Sequence, residues 1–233
     1  MSIAIIGDIH GMKDTLKNLY KKVNSQHKID TWYSCGDLID RGPDSKGVLD
    51  FIILEGIKAV KGNHEEMALE AMQEFRWNLN NGSGLQYWCQ YGGIQTIQSM
   101  GGILMGKEGN YILLDSDVIL NYRQFLQSLP LYIETPFAYI LHAGFPTYRR
   151  ESHLSEVKDT NDFLWFTGHH HQDTAFKLLN KVQVIGHLYT KEPFIGKRHV
   201  GLDTGCGISK TGKLTAFILP EKICISEGVE NDS

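Results

Sequence analysis

Short apolar runs alternate with amphipathic stretches through the first third of the chain. Residues 3–6 are uniformly apolar and end at Gly7, the pattern of a buried strand. Leu16, Leu19, Tyr20 and Val23 follow at i, i+3, i+4 and i+7, which places them on one helix face. The strand pattern returns at 31–35 and 57–60, ending at Gly36 and Gly62. Val48, Phe51 and Ile52 begin a second helical face, and Met67, Ala71, Met72 and Phe75 mark a third. This β-α-β-α-β-α order predicts an α/β fold. Residues 78–109 are rich in Gly, Gln, Asn and aromatics and yield no assigned element. Val118, Tyr122, Phe125 and Leu129 predict a helix stopped by Pro130. Strand patterns then dominate, at 137–141, 182–185, 199–202, 214–219 and 223–225. Two sheets packed face to face, with helices outside, accommodate this order. Neither an internal repeat nor a Pro/Gly/Ser-rich linker divides the chain, so one domain over 1–233 is expected, with a frayed charged tail at 228–233.

Composition narrows the function classes. A chain of 233 residues with 42% hydrophobic and 21% charged positions can bury a sizeable core around a deep site. A formal net charge of −4 argues against the molecule as a whole attracting nucleic acid or an anionic membrane. The four cysteines, Cys35, Cys89, Cys206 and Cys224, are scattered without CxxC spacing, as expected for reduced thiols in a cytoplasmic protein. The apolar run at 3–6 is too short for a signal peptide or membrane span.

The candidate chemistry lies at the strand ends. Three successive strands end in glycine followed by ligand-type residues: Gly7-Asp-Ile-His-Gly, Gly36-Asp-Leu-Ile-Asp-Arg-Gly and Gly62-Asn-His-Glu. Leu141-His-Ala-Gly and Ile185-Gly-His end two later ones. Ligands in α/β sheets bind beyond the carboxyl ends of strands, so these tips are expected to meet. Singly, each has a plain structural explanation: Asp8 as a turn or cap residue, His142 or His187 as a core histidine, Arg41 as a surface charge. Five ligand-bearing strand ends in order are not explained by turn chemistry.

These motifs resemble those of the metallo-dependent serine/threonine protein phosphatases, the phosphoprotein phosphatase family, and most of all its compact bacterial and bacteriophage lambda-type members. The resemblance spans Gly7–Gly11, Gly36–Gly42, Gly62–Glu65, His142–Gly144 and Gly186–His187, with Leu202-Asp-Thr-Gly-Cys behind them. It implies a calcineurin-like metallophosphoesterase fold of two packed sheets flanked by helices. It also implies one metal held by Asp8, His10 and Asp37, and a second by Asp37, Asn63, His142 and His187, with Asp37 bridging. Carboxylate, imidazole and amide ligands suit Mn²⁺ first, with Fe or Zn²⁺ as alternatives. Two such cations ~3.5–4 Å apart lower the pKa of a bridging water and clamp phosphoryl oxygens for in-line attack. By the same resemblance His64 is the general acid, Asp40 orients it, Arg41 and Asn63 hold the phosphate, and Glu65 and Asp203 support the site from behind.

The chain departs from the family pattern at two places. Thr167, two residues after Trp165, stands where the family carries a second phosphate-binding arginine; Arg149, Arg150 or the run 169–171 are the candidate replacements, with solvated loop positions the blander reading. Leu188 stands where the family follows its last Gly-His with threonine. The aromatics Trp77, Tyr87, Trp88 and Tyr91 are expected to serve core packing rather than a substrate groove.

The leading expectation is hydrolysis of phosphoserine and phosphothreonine in proteins, with phosphotyrosine and small phosphoesters as further substrates. Symmetrical diadenosine tetraphosphatases share the scaffold but usually replace the aspartate of the DRG motif and end the third motif in Asp, so Asp40 and Glu65 favour the phosphatase. A non-catalytic scaffold is disfavoured, because no ligand or acid residue has been lost.

Overall fold

The computed structural model describes residues 1–74, 83–105, 111–113, 116–168 and 172–229. Its frame is two five-stranded mixed sheets. In the first, β1 (Ile3–Ile6), β2 (Thr31–Ser34) and β3 (Lys58–Ala59) run parallel, joined by α1 (Lys13–Gln26) and α2 (Ser45–Glu55). The strand β11 (Lys213–Leu219) pairs antiparallel with β1, and β12 (Ile223–Gly228) pairs with β11. In the second sheet the parallel strands are β7 (Ala138–Leu141), β8 (Val182–Ile185) and β10 (His199–Gly201), edged by antiparallel β6 (Tyr132–Glu134) and β9 (Phe194–Ile195). The hairpin β4 (Ile103–Met105) and β5 (Tyr111–Leu113) stands apart.

All four residues of β1 are buried because both faces of its sheet are covered. Ile3 and Ile5 point towards Ile140, Val184 and Val200 of the second sheet, forming the inter-sheet core. Ala4 and Ile6 point the other way, against Leu16, Leu19 and Val23 of α1 and Val48 and Ile52 of α2. The period of two along the strand thus meets the helical period on one side and a second sheet on the other. Asp44 caps α2 by accepting the Gly47 N–H at 2.8 Å, and Gly56 closes it in the left-handed conformation. The outer face of the second sheet is covered by a long excursion carrying α7 (Asn161–Trp165), with Phe145, Phe163, Phe166 and Phe176 packed on Leu141 and Ile185.

The structure shifts several predicted boundaries. The third strand narrows to Lys58–Ala59: at its start the Ile57 N–H is taken by the Ile52 carbonyl, and beyond Val60, which still donates to Ser34, the Lys61 N–H is taken by the Pro130 carbonyl. The third helix, α3 (Asn63–Glu74), begins four residues before its first apolar marker, Met67, and so takes Asn63 and His64 into its first turn. Residues 83–99, unassigned in sequence, form α4 (Ser83–Trp88), a π-turn at Cys89–Gly93 and α5 (Ile94–Ser99). The helix α6 (Ser116–Ser128) lies where the 118–129 pattern placed it. Two residues assigned to the tail are held: Gly228 pairs in β12, and the Val229 N–H reaches the Gly212 carbonyl at 3.0 Å, while 230–233 lie outside the described residues. Tyr87 and Tyr91 are not core residues. They are 43% and 45% exposed and pair with each other at 4.8 Å between ring centroids. Trp88 is buried, and Trp77 lies outside the described residues.

Candidate metal and catalytic centre

Because β1, β2, β3, β7 and β8 end at the same edge of the two sheets, the five sequence motifs converge. The loops after β1 and β2 are tied together: the N–H groups of Ile9 and His10 both donate to the Asp37 carbonyl at 2.9 Å, and Gly11 donates to Leu38. Glu65, in the first turn of α3, clamps the second loop to the third. Its carboxylate accepts from Asp37 (2.9 Å), Leu38 (2.8 Å) and Gly62 (2.8 Å) N–H groups. Within these loops His10, Asp37, Asp40, Arg41 and His187 all adopt positive φ, between 47° and 71°. Each such non-glycine residue costs about 1–3 kcal/mol and persists only where its surroundings over-determine it, which is characteristic of functional sites.

Asp37 lies at the centre. Its Oδ1 is 3.4 Å from His142 Nε2, while its Oδ2 is 3.7 Å from His10 Nε2 and 3.9 Å from His64 Nε2. Two groups of ligand atoms, each within 4.8 Å of one another, therefore share it: His10, Asp37 and His64 on one side, Asp8, Asp37 and His142 on the other. Asn63 Oδ1 lies 2.7 Å from His142 Nε2 and 3.2 Å from His187 Nδ1, which adds both remaining sequence candidates to the second group. His187 N–H donates to Asp8 at 2.9 Å. This approach needs Gly186, since a Cβ there would sit 1.8 Å from Asp8 Oδ1.

The donor set fits divalent cations. His10 Nδ1 donates to the Ile39 carbonyl at 3.0 Å and His142 Nδ1 to the Cys35 carbonyl at 2.9 Å, leaving both Nε2 lone pairs turned into the site, the arrangement that orients metal-ligating histidines. Burial drives the His10 and His142 pKa values down, so both stand ready as neutral ligands. Burial also raises Asp8, helped by the charges of Asp203 and Asp37, and pushes Asp203 to about 6. Carboxylates crowded in a buried space call for a compensating cation.

The His64–Asp40 pair is built differently. Asp40 Oδ2 accepts from His64 Nδ1 at 2.6 Å, and the Asp40 carboxylate also takes Trp88 Nε1 at 2.9 Å and Thr96 Oγ1 at 2.7 Å. Sequence reading missed both of these supporting residues, which come from the segment it left unassigned. Burial alone would lower the His64 pKa, but the charge of Asp37 and the hydrogen bond and charge of Asp40 outweigh it, and the net shift is upward. Arg41 reaches His10 Nε2 at 2.6 Å through one guanidinium nitrogen, so it projects into the metal-facing space.

Among the residues weighed as a substitute arginine, Arg149 is committed elsewhere. Its guanidinium pairs with Asp162 at 2.5 Å and lies 3.6 Å from Glu151 and 3.8 Å from Asp159. Arg150 and Thr167 are exposed, and residues 169–171 lie outside the described residues. Trp165, 40% exposed, meets the His187 ring edge-on at 6.4 Å. Leu188 packs into the phenylalanine cluster over the second sheet. Among the described residues, no helix is long and apolar enough to cross a membrane.

Known proteins share this architecture. Over 81 residues the chain is 42% identical to serine/threonine-protein phosphatase 1 of Salmonella typhimurium, a match covering 34% of this chain and 38% of that relative's length. It is 26% identical over 255 residues to the symmetrical bis(5'-nucleosyl)-tetraphosphatase of Vibrio vulnificus, covering 88% of this chain and 91% of the relative. A solved structure described as a candidate diadenosine tetraphosphatase superposes with a TM-score of 0.66 at 23% identity, over 99% of this chain and 94% of that one, and shares the fold. The family model for calcineurin-like phosphoesterases matches residues 1–190, and with the two-sheet frame and the converging strand ends this establishes that the chain belongs to the calcineurin-like phosphoesterase family.

Proposed function

We propose that this chain is a two-metal phosphomonoesterase acting on phosphoserine and phosphothreonine in proteins, with phosphotyrosine and small phosphoesters as further substrates. The observation that carries this reading is the His64–Asp40 pair at 2.6 Å, held from behind by Trp88 and Thr96. An alkoxide leaving from serine or threonine is a strong base and needs a proton as the ester bond breaks, whereas a nucleotide phosphate leaves readily without one. A rigidly mounted imidazole with a raised pKa is the group such a leaving oxygen requires.

On the assignment the family resemblance implies, Asp8, His10 and Asp37 would hold one ion, and Asp37, Asn63, His142 and His187 the other, Mn²⁺ being the favoured metal. Asp8 lies nearer His142 than that assignment expects, in one group with it and Asp37. Bound there, the ions supply Lewis-acid charge to the phosphoryl oxygens and a water of lowered pKa. Arg41 and Asn63 orient the phosphate, Arg41 through its planar donor fork. As the water oxygen attacks phosphorus and the ester P–O bond breaks, His64 Nε2 gives its proton to the departing oxygen, and Asp40 holds the resulting neutral ring in place through Nδ1. Four free cysteines, none in a disulfide, support a reducing, cytoplasmic setting. The partners this reading implies are phosphorylated proteins, with no role for nucleic acid or membrane.

A second reading, hydrolysis of dinucleoside polyphosphates, is favoured by the alignment with the Vibrio tetraphosphatase along 88% of this chain. His64→Asn separates the two. Under the phosphatase reading it lowers kcat on phosphothreonine peptides by ~10²–10⁴-fold with metal content retained, and by much less on p-nitrophenyl phosphate, whose leaving group needs little protonation. Preferred turnover of diadenosine tetraphosphate by the wild type, with little effect of His64→Asn, would establish the nucleotide reading instead. Loss of bound metal in the variant would make His64 a ligand, as its place beside His10 and Asp37 allows.

A further inference from the structure

Beside Arg41, the π-turn and the start of α5 border an open cavity of about 390 Å³, lined by Arg41, Cys89, Gln90, Tyr91, Gly92, Ile94 and Gln95. Its size falls in the usual range for a specific ligand site. It is fixed to the catalytic loop through the backbone. The Arg41 N–H donates to the Gly92 carbonyl at 3.2 Å, and Gly92, at φ 106°, lets the turn come so close that a Cβ would lie 2.5 Å from the Arg41 nitrogen. Arg41 therefore belongs to both places, its guanidinium reaching His10 while the residue also lines this cavity.

We propose that this cavity receives the polypeptide flank of the phosphorylated residue, and that Tyr91 and Gln95 set which phosphoesters are accepted. The inference rests on the phosphatase reading above and deepens it. Charge comes first. Arg41 is the single charged side chain among the described residues lining the cavity, and it is also the phosphate-facing group. A polyphosphate chain would bring several negative charges with no further cation to meet them. The neighbouring charge has the wrong sign for such a chain: Glu70 of α3 lies close enough to Tyr87 to add to the upward shift of that phenol, which its hydrogen bond to Tyr91 chiefly causes. One phosphate joined to a neutral group matches these walls.

Hydrogen bonding comes second. Gln95 lines the cavity and carries a carboxamide that can both donate to and accept from peptide groups. A backbone N–H is the donor an extended peptide would offer, and Gln90 adds a second carboxamide able to meet peptide groups. Third, Tyr91 lines the cavity and, like its ring partner Tyr87, is nearly half exposed, which leaves aromatic surface available to a side chain beside the phosphorylated residue.

The test uses metal-loaded full-length protein and three substrates: a phosphothreonine peptide, p-nitrophenyl phosphate and diadenosine tetraphosphate. Tyr91→Ala and Gln95→Ala are each expected to raise the peptide KM by about tenfold, as truncation of a contact residue typically does, with peptide kcat within about twofold. p-Nitrophenyl phosphate kinetics and inhibition by inorganic phosphate should stay within about twofold, because neither compound extends into the cavity. Tyr91→Phe should behave as wild type on the peptide if the ring surface is what matters. Equal losses on peptide and p-nitrophenyl phosphate would overturn the proposal by showing that these residues only prop Arg41. Unchanged peptide KM in both alanine variants would also overturn it, and a KM rise confined to diadenosine tetraphosphate would make the cavity a nucleoside site. A wild-type protein that cleaves diadenosine tetraphosphate but not the peptide would instead defeat the underlying phosphatase reading.

Discussion

On the side of the site built by the first sheet, each loop is tied to its neighbour through backbone groups. The Asp37 carbonyl serves Ile9 and His10, the Gly42 N–H reaches the His10 carbonyl, and Glu65 collects donors from two loops at once. On the side built by the second sheet, His142 and His187 are joined by the Gly186 N–H donating to the His142 carbonyl, and His187 is tied across to the first sheet's loop by its N–H to Asp8. Between those two histidines runs the long excursion, and it is held by side chains remote from the ligands. Arg149 pairs with Asp162, Lys177 donates to the carbonyls of Arg149 and Glu151, and Asp173 caps the turn into β10. The first half fixes chemistry through local loop geometry. The second delivers two candidate ligands on strand ends and leaves the segment between them to packing.

Asp37→Asn strikes the point where the two halves meet and should have the largest effect. Asp37 is the one side chain present in both ligand groups. Weakening both ions at once removes several kcal/mol of transition-state stabilisation, about 10³-fold or more in kcat. Elemental analysis should find less than full metal content, and added Mn²⁺ should restore activity only in part. A variant with both metals and a wild-type rate would show that the halves do not share a bridging ligand.

That asymmetry also explains what could be read from the sequence. Gly7-Asp-Ile-His-Gly and Gly36-Asp-Leu-Ile-Asp-Arg-Gly were legible because a strand, its glycine and its ligands occupy adjacent positions, so short-range pattern carries the geometry. The α/β order and the two packed sheets followed from the same periodicity. Trp88 and Thr96 were not legible, because they reach Asp40 across 48 and 56 residues from a stretch whose helices are short and kinked at Gly92. Nor was Arg149's commitment to Asp162, since a loop arginine thirteen residues before an aspartate has no periodic signature. Residue type alone assigns Tyr87 and Tyr91 to the core, whereas Tyr87 on α4 and Tyr91 in the π-turn are both exposed.

Arg149→Ala tests whether the excursion between the histidines acts on phosphate directly. Arg149 and Asp162 are 13% and 18% exposed, so removing the cation strands a largely buried carboxylate. Breaking a buried pair costs about 3–5 kcal/mol, and the residual exposure here brings the expectation to about 2–3 kcal/mol of unfolding free energy, read by denaturant titration. Inhibition by inorganic phosphate should change by less than about twofold. A large rise in the phosphate inhibition constant without loss of stability would mean that Arg149 leaves its acidic partners to act as the second clamp.

The smallest effect should come from Asp173→Asn, which loosens the far anchor of the same excursion without touching a ligand. The Asp173 carboxylate accepts the Arg198 N–H at 2.8 Å, the His199 N–H at 3.1 Å and His199 Nδ1 at 3.1 Å. Burial works to raise its pKa, but these backbone and ring donors outweigh burial and leave it depressed. A carboxylate with a depressed folded pKa contributes stability that is fully present above its unfolded value of about 3.9 and is lost as the pH falls through the folded value. Asparagine carries no charge at any pH; its oxygen can keep the donors that meet Oδ1, while its amide nitrogen cannot accept the Lys197 N–H that meets Oδ2. The variant should therefore be less stable by about 1–2 kcal/mol at neutral pH, the loss of charge-assisted hydrogen bonds. The gap should close in acid, once the wild-type carboxyl is protonated in the folded state as well. Urea titrations of both proteins at neutral pH and at successively lower pH values would show it. A gap of constant size across that range would mean that packing, and not the carboxylate charge, anchors β10 to the excursion. Metal content and p-nitrophenyl phosphate turnover should be unchanged at neutral pH, because the Leu202 N–H still holds the end of β8 through the Ile185 carbonyl at 2.8 Å.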